Sequence, residues 1–455
     1  MRWPILCKWV GFRLDFRADG GHIPRVSAAA HGRREIQNEE STMNTPPEGC
    51  EKIERARADF PSLNRMHDGR RLAYLDGPAG TQVPQQVLDA IVHYYMNSNA
   101  NTHGQFVTAN ETDLLLEETR EKVATFLGTT EGGTVSFGAN MTTLAYSLSR
   151  ALARKLVPGD EVLITQLDHE ANRGPWLDLS NHGIQVKEIA IKPDATLDEE
   201  DFRAEINDRT RLVAMGLASN AFGTVNDVML ARELTARVGA WLLVDAVHYA
   251  PHFPIDVEVM GVDFLLCSAY KFYGPHVGIL YAREGLLDQL QTDCLRTQAQ
   301  TAPHKIETGT LNHASLAGVK AAIEYIASLG SGNGLRLQIV TAMESIAAYE
   351  HEIARGLYDG LGDIEGVTRY GPSFDVPLRA PTVSFTVDGR SAVEVCRALG
   401  EEGICVWDGH FYAIRPVEIL GLLERGGVTR VGISLYNRGE EVARLLSTVA
   451  RLSEG

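Results

Sequence analysis

The chain has 455 residues, 44% of them hydrophobic and 22% charged, which is enough to bury a large core and to form two domains. Asp and Glu outnumber Lys and Arg by 59 to 43, a formal charge of −16, so the surface as a whole repels phosphate backbones and anionic lipid; neither nucleic acid nor a membrane is expected as a partner. No apolar run approaches the ~18 residues that span a bilayer. The six cysteines, Cys7, Cys50, Cys267, Cys294, Cys396 and Cys405, form no Cys-x-x-Cys pair or Cys/His cluster with metal-ligand spacing, so a reduced, cytoplasmic protein without a metal centre is expected.

In chain order, residues 1–42 carry Arg2, Lys8, Arg13, Arg17, Arg25, Arg33 and Arg34 against only Asp15 and Asp19 before Glu35. This stretch reads either as a targeting peptide or as a disordered extension ahead of a mis-assigned start, since Met43 opens a fresh Asn-Thr-Pro-Pro-Glu-Gly run. A helix is expected over Glu51–Phe60, within an N-terminal segment, 43–85, that packs with the C-terminal part of the chain. From Tyr74 to about Gly330, short β-rich runs alternate with amphipathic segments, the pattern of a sheet covered by helices on both faces. Apolar residues at three- and four-residue spacing predict helices over Val83–Met96, Thr112–Leu127, Met141–Leu156, Glu199–Ile206 and Ala231–Val238. Strands are predicted over Thr134–Phe137, Glu161–Thr165, Gln185–Ile189, Thr210–Leu217, Trp241–Val244, Phe264–Cys267 and Gly278–Tyr281, several of them uninterrupted apolar runs as buried strands should be. After Leu329-Gly-Ser-Gly-Asn-Gly334, a long amphipathic helix from about Leu337 to Leu361 leads to strands near Pro381–Val387 and Val428–Ser434. The expected fold class is α/β: a large domain over 86–330, with a mixed, mostly parallel sheet flanked by helices, and a smaller α+β domain over 331–455.

Two segments carry chemistry directly. The apolar strand Trp241-Leu-Leu-Val-Asp245 ends on a carboxylate, which is costly in a buried place unless it is paired. Shortly after it, Asp263-Phe-Leu-Leu-Cys-Ser-Ala-Tyr-Lys271 ends on a lysine. A lysine there can hold an aldehyde as an imine, and the carboxylate can keep a pyridine nitrogen protonated, which together are the requirements of pyridoxal 5'-phosphate. Five further segments stand in a fixed order: Ser136-Phe-Gly138-Ala139-Asn140-Met-Thr142-Thr143, Gln166-Leu-Asp168-His169-Glu170-Ala-Asn172-Arg-Gly-Pro-Trp176, Leu217-Ala-Ser219-Asn220-Ala-Phe-Gly223-Thr224, Ile306-Glu-Thr-Gly309-Thr310-Leu-Asn312 and Thr429-Arg430-Val-Gly-Ile-Ser-Leu-Tyr436-Asn437.

From Tyr74 to the end, these segments resemble the class V aminotransferase family of fold-type I pyridoxal phosphate enzymes, in its cysteine desulfurase and selenocysteine lyase-like branch. The resemblance implies that Ala139 and Asn140 hold the cofactor phosphate at a helix N-terminus, where free amides and the helix dipole favour an anion. It places His169 on the pyridine ring, where an imidazole can also carry a proton. It assigns Asn220 to the phenolic oxygen, Asp245 to the ring nitrogen, His248 beside the ring, and Ser268 and Tyr270 to the phosphate. Lys271 becomes the imine-forming base, and Arg430 the bidentate partner of the substrate carboxylate. Thr310 is implied to reach the phosphate of a neighbouring subunit, hence a homodimer with shared sites.

Three departures bear on the reaction. The desulfurases carry a nucleophilic cysteine where Asp408-Gly409-His410-Phe411-Tyr412 has Tyr412, and a phenol cannot accept sulfur as a persulfide. Cys405, seven residues earlier, reads as a packed core thiol. Tyr270 replaces a phosphate-binding histidine, and His248 replaces a glutamine. A lyase cleaving C–S or C–Se at the β-carbon of an amino acid, in the desulfurase manner, is therefore expected; an aminotransferase or amino-acid epimerase is the alternative within the fold. A non-catalytic pyridoxal phosphate-fold binding protein is the alternative of another class, and the joint retention of Lys271, Asp245, His169 and Arg430 argues against it. A dinucleotide-dependent dehydrogenase is weaker, since no Gly-x-Gly-x-x-Gly follows an early strand.

Overall fold

The computed structural model describes residues 51–454. The expected extension over 1–42, with Cys7 and Cys50, lies outside the described residues.

A seven-stranded sheet forms the larger layer. Its strands are β1 (Val135–Gly138), β2 (Glu161–Thr165), β3 (Gln185–Ile189), β4 (Thr210–Gly216), β5 (Trp241–Asp245), β6 (Phe264–Ser268) and β7 (Gly278–Ala282). They lie in the order β1-β7-β6-β5-β4-β2-β3. Strands β2 to β6 run parallel, while β7 is antiparallel to both β1 and β6. This is the mixed, mostly parallel sheet that the apolar runs required. The two-residue period of a strand divides its side chains between two cores. Leu163, Val213, Met215, Leu242, Val244 and Leu265 face one cluster with Val319, Ile323 and Ile346. Val162, Ile164, Leu212, Ala214, Leu243 and Leu266 face the other, against Leu144 and Leu148 of the helix Met141–Ala153.

Helix bounds moved where capping or packing overrode periodicity. The helix expected from Ala231 begins at Val228, because the Asp227 carboxylate accepts from the amides of Met229 and Leu230. The helix expected from Thr112 begins at Val107, where burial of Ala109 and Thr112 holds a first turn of weak helix formers. The helix expected over Glu51–Phe60 ends at Ala56 and tightens into a 3₁₀ turn, Arg57–Asp59. His313–Leu329 was not foreseen as a helix; it is buried on several faces, so it lacks the polar stripe that marks an amphipathic segment.

The smaller sheet holds β8 (Val367–Tyr370), β9 (Thr382–Val387), β10 (Trp407–Gly409) and β11 (Val428–Gly432), antiparallel in the order β8-β9-β11-β10. Its core, Val383, Phe385 and Val431, meets Leu357 and Leu361 of the long helix Leu335–Gly362, Val395 and Leu399 of Ala392–Glu401, and Val442 and Leu445 of Gly439–Ser453. The N-terminal segment reaches this sheet: Ala73–Tyr74 pairs in parallel with Ile404–Cys405, and Asp76 bridges Gly432. The approach is so close that a Cβ at Gly432 would stand 2.0 Å from Cδ of Pro78. Among the described residues no helix is long and apolar enough to cross a membrane, and no group of three or more His, Cys, Asp and Glu side chains could hold a metal ion.

Candidate active site

Every functional segment foreseen on the large sheet lies at or just beyond a strand end on one edge. Asp245 ends β5, Ser268 ends β6 with Lys271 three residues on, His169 follows β2, Asn220 follows β4, and Ala139 follows β1. In open parallel sheets the carboxyl ends of the strands are where ligands bind, because loops diverge there. Arg430 comes to the same place from β11 of the smaller sheet, and Asp76 from the N-terminal segment.

Lys271 is buried, and its Nζ donates to the carbonyl of Pro78. Burial, reinforced by the nearby Arg430 cation and opposed by Asp76 and Asp245, brings its proton affinity down to about 7. Asp245 is buried as well and accepts from the Val247 amide at 2.9 Å; burial pushes its carboxyl up to about 6, against the pull of that amide and of Lys271. Neither group carries its ordinary charge comfortably without a further partner. Arg430 is 1% exposed; it donates to Oδ1 of Asp76 at 2.9 Å and to the Asn220 carbonyl at 3.1 Å, and lies 4.2 Å over the Phe411 ring. Its Nε is buried with no hydrogen-bond partner. Asp76 was not foreseen from sequence, although an aspartate before Gly77-Pro78 at the end of an apolar pair was a visible signal.

His169 accepts from the Ala171 amide through Nδ1 at 3.0 Å. Burial, with Lys271 and Arg430 nearby, lowers its imidazole to about 4. The residue before it, Asp168, was also missed: its carboxylate is buried and accepts from the Gly216 amide at 2.7 Å and from Asn172 Nδ2 at 3.2 Å. Gly216 pairs in register with Asp245, so Asp168 ties the His169 turn to the strand beside the Asp245 carboxylate. His248 is buried; Nε2 lies 2.9 Å from Thr382 Oγ1, while Nδ1 has no partner. Asn220 spends its amide on the Phe411 carbonyl at 2.9 Å.

On the other side, the Asn140 side chain accepts from the Thr143 amide and caps the helix Met141–Ala153, while the Met141 amide donates to Oγ of Ser268 at 3.1 Å. The turn lies so close to β7 that a Cβ at Gly278 would stand 2.2 Å from the Asn140 carbonyl carbon. Tyr270 stacks on His276, centroids 4.7 Å apart, so His276 joins the surroundings of the lysine without having been foreseen. Thr310 is exposed and lines a cavity of about 390 Å³ with Gly138, Ala139 and His276.

The segment facing His169 is the loop after β10. Phe411 and Tyr412 both have positive φ, 53° and 59°. The Glu170 amide donates to the Tyr412 carbonyl at 2.7 Å, and the rings of His169 and Tyr412 are 5.6 Å apart. Among the described residues no thiol takes that place: Cys405 is half-buried, with burial raising its thiol, and Cys396 is pushed up to about 12 by burial.

Pyridoxal phosphate suits these residues. The orphaned Nδ1 of His248, the close turn at Asn140 that only a glycine opposite it permits, and the mutually perturbed Lys271 and Asp245 each call for a polar partner of the kind that its oxygen, phosphate and ring nitrogen provide. Comparison with known proteins agrees. The chain is 32% identical to a cysteine desulfurase of Yersinia pseudotuberculosis, covering 88% of this chain and 98% of that protein. It is 35% identical to a probable cysteine desulfurase of Mycolicibacterium paratuberculosis, but spans only 58% of that protein's length. Among solved structures, a cysteine desulfurase from Thermococcus onnurineus superposes with a TM-score of 0.79 at 27% identity, over 88% of this chain and 98% of the other. One from Escherichia coli gives 0.77 at 27% identity over the same shares. The family model for class V aminotransferases matches residues 73–445, which takes in both sheets and nearly every segment described above, and the chain belongs to that pyridoxal phosphate-dependent family.

Proposed function

We propose that this chain is a cytoplasmic, pyridoxal phosphate-dependent lyase that breaks the β-carbon to sulfur, or selenium, bond of an α-amino acid without forming an enzyme persulfide. The observation that carries the reading is the convergence of Lys271, Asp245 and Arg430 on a mouth that holds Tyr412 where the resemblance to desulfurases places a thiol. Residues 86–330 are the cofactor-binding domain in this reading, and 331–455 the smaller domain that brings in Arg430.

When bound, the cofactor supplies an aldehyde that takes up the amine and a ring that accepts the electron pair released at the α-carbon. The chain's own residues do the rest. Ser268, Ala139 and Asn140 would hold the phosphate, with Tyr270 beside them. Asp245 would hold the proton of the ring nitrogen, His248 and Asn220 would serve the phenolic oxygen, and His169 would shield the ring from water. Arg430 offers its unpartnered Nε–H and an adjacent N–H to the substrate carboxylate. Lys271, with its proton affinity held at about 7, takes the α-proton at neutral pH.

The test is the carbon product formed from cysteine, and separately from cystine, with no oxo-acid present. Pyruvate is expected, and expected unchanged in Cys405→Ala. Alanine as the product would mean that a thiol accepts sulfur after all, and turnover that appears only with an added oxo-acid would replace the lyase by an aminotransferase.

The reading includes a homodimer. The helix Gln85–Asn97 exposes Leu88, Val92, Tyr95 and Met96, and Phe106 and Val107 follow as exposed apolar side chains. Exposed apolar side chains gathered on one helix in this way suit an interface, and the exposed Thr310 would serve a partner's phosphate across it. Sedimentation equilibrium should give twice the chain mass for the wild type and a shift toward monomer for Val92→Arg; a monomeric wild type would remove the shared-site proposal.

A further inference from the structure

We infer that Thr382 is a positioning residue for His248: its hydroxyl donates to Nε2, which puts the single imidazole proton on Nδ1, the atom left to donate to the cofactor's phenolic oxygen. The inference rests on the reading that His248 serves that oxygen, and is independent of whether the reaction is a lyase or a transferase step. It adds the residue that decides which nitrogen of His248 does so.

The ring is engaged on one side and open on the other. His248 and Thr382 are 3% and 0% exposed, and Nε2 lies 2.9 Å from Oγ1 of Thr382. Nδ1 is buried without a partner. Among the described residues the Thr382 hydroxyl has no other hydrogen-bond partner. A neutral imidazole carries one N–H and one lone pair, so the partner of one nitrogen decides the role of the other. Were Nε2–H the donor, the Thr382 hydroxyl proton would have no acceptor in a buried place, and the Nδ1 lone pair would meet an anionic oxygen. With the hydroxyl as donor, Nε2 accepts and Nδ1 carries the proton. The one group still open is then the N–H that the phenolic oxygen would satisfy.

The ring has a single proton to place because it is neutral. Burial keeps its affinity for a second proton well below the ordinary imidazole value, with His252, Lys271 and Arg430 acting in the same direction. His252 stands edge-on to His248, ring centroids 5.2 Å apart, and its Nδ1 lies 2.7 Å from Oε2 of the buried Glu350 on the helix Leu335–Gly362. Thr382 itself is held by backbone contacts. It opens β9 and pairs in register with Gly432 of β11, the strand that carries Arg430. Its carbonyl lies so near the Asn220 turn that a Cβ at Gly223 would stand 2.6 Å from it. The smaller sheet thus delivers both the cation for the substrate carboxylate and the hydroxyl that orients His248.

The test uses holoenzyme and reads the pH midpoint of the bound cofactor's visible absorbance. A donor on the phenolic oxygen lowers that midpoint, because the oxygen's charge is what holds the titrating proton beside it. His248→Leu removes the donor and should raise the midpoint by about 1–2 pH units, the worth of one hydrogen bond to a charged group. Thr382→Val should raise it by about 0.4–1 pH unit, the worth of one neutral hydrogen bond, while Thr382→Ser should match the wild type. Asp245, Lys271, Arg430 and the His252 and Glu350 pair are intact in all three variants, so none of them accounts for a difference. A midpoint that moves in His248→Leu but not in Thr382→Val would overturn the role of Thr382 and leave His248 on the oxygen. Equal midpoints in Thr382→Ser and Thr382→Val would trace the shift to packing and overturn it as well. No movement in His248→Leu would take His248 off the oxygen, and the inference with it. Neutron diffraction from deuterated wild-type crystals reads the tautomer without any variant: deuterium is expected on Nδ1, and deuterium on Nε2 alone would refute the inference.

Discussion

Lys271→Ala is expected to abolish turnover, by roughly 10³-fold or more, the scale on which a positioned acid–base group acts, while leaving the protein folded. The lysine is a burden on the fold. Burial and the Arg430 cation disfavour its ammonium, so between about 7 and the ordinary 10.5 the unfolded chain binds a proton that the folded chain does not. Stability therefore rises with pH through that window, and the cost of burying the lysine is greatest below pH 7. The cofactor-free variant should accordingly melt no lower than the wild type at neutral pH, which separates lost chemistry from lost folding. The same shift predicts reactivity: in the cofactor-free protein, acetic anhydride labelling of Lys271, read by mass spectrometry, should rise with pH to a midpoint of about 7. A midpoint near ~10, that of a lysine in water, would show that the environment described for Lys271 is wrong.

Arg430 is the second residue whose loss should be severe, and its two substitutions should fail differently. Arg430→Ala leaves Asp76 and the Asn220 carbonyl without their donor. Breaking a buried pair costs ~3–5 kcal/mol; the Asp76 side chain is 26% exposed, so the lower end of that range is expected in a thermal or urea melt. Arg430→Lys keeps the charge but cannot present two parallel N–H groups to a carboxylate. One charge-assisted hydrogen bond is worth about 1.5–3 kcal/mol, so KM should rise about 10- to 150-fold with kcat less affected. Competition by cysteamine, which is cysteine without its carboxylate, supplies the control. The wild type should discriminate strongly against it, and Arg430→Lys should lose most of that discrimination; unchanged discrimination would mean that another cation holds the carboxylate.

Local chemistry made much of this legible. Strands β2 and β3 occupy the predicted residues, β1 is shifted by one residue, and the other large-sheet strands differ by one residue at one end, because apolar runs in a buried sheet have few other places to go. Asn140 announced the start of the helix Met141–Ala153, since its side chain needs only the Thr143 amide three residues on. The Ser391 and Glu394 capping box of the helix Ala392–Glu401 is equally local and was open to the same reading. Lys271 and Asp245 were legible as chemistry because a charged group closing an apolar run demands a reason, while His169 and Arg430 were legible through the segments that resemble the class V aminotransferases.

By itself, then, the sequence determined the elements whose signals lie within a few residues, the fold class, and which side chains were chemically out of place in their runs. Tertiary structure alone decided what meets them. Asp76 lies 354 positions from Arg430, and the Pro78 carbonyl 193 from Lys271, separations at which no periodicity or capping rule operates. The helix His313–Leu329 escaped for a related reason: it is enclosed by neighbours, so no polar face gives its period away. The left-handed turn at Phe411 and Tyr412 goes further, since neither residue favours positive φ and nothing in the local run requires it. Contacts with Glu170, Asn220 and Arg430, brought together by the two sheets, hold that backbone in place and so put a phenol beside His169.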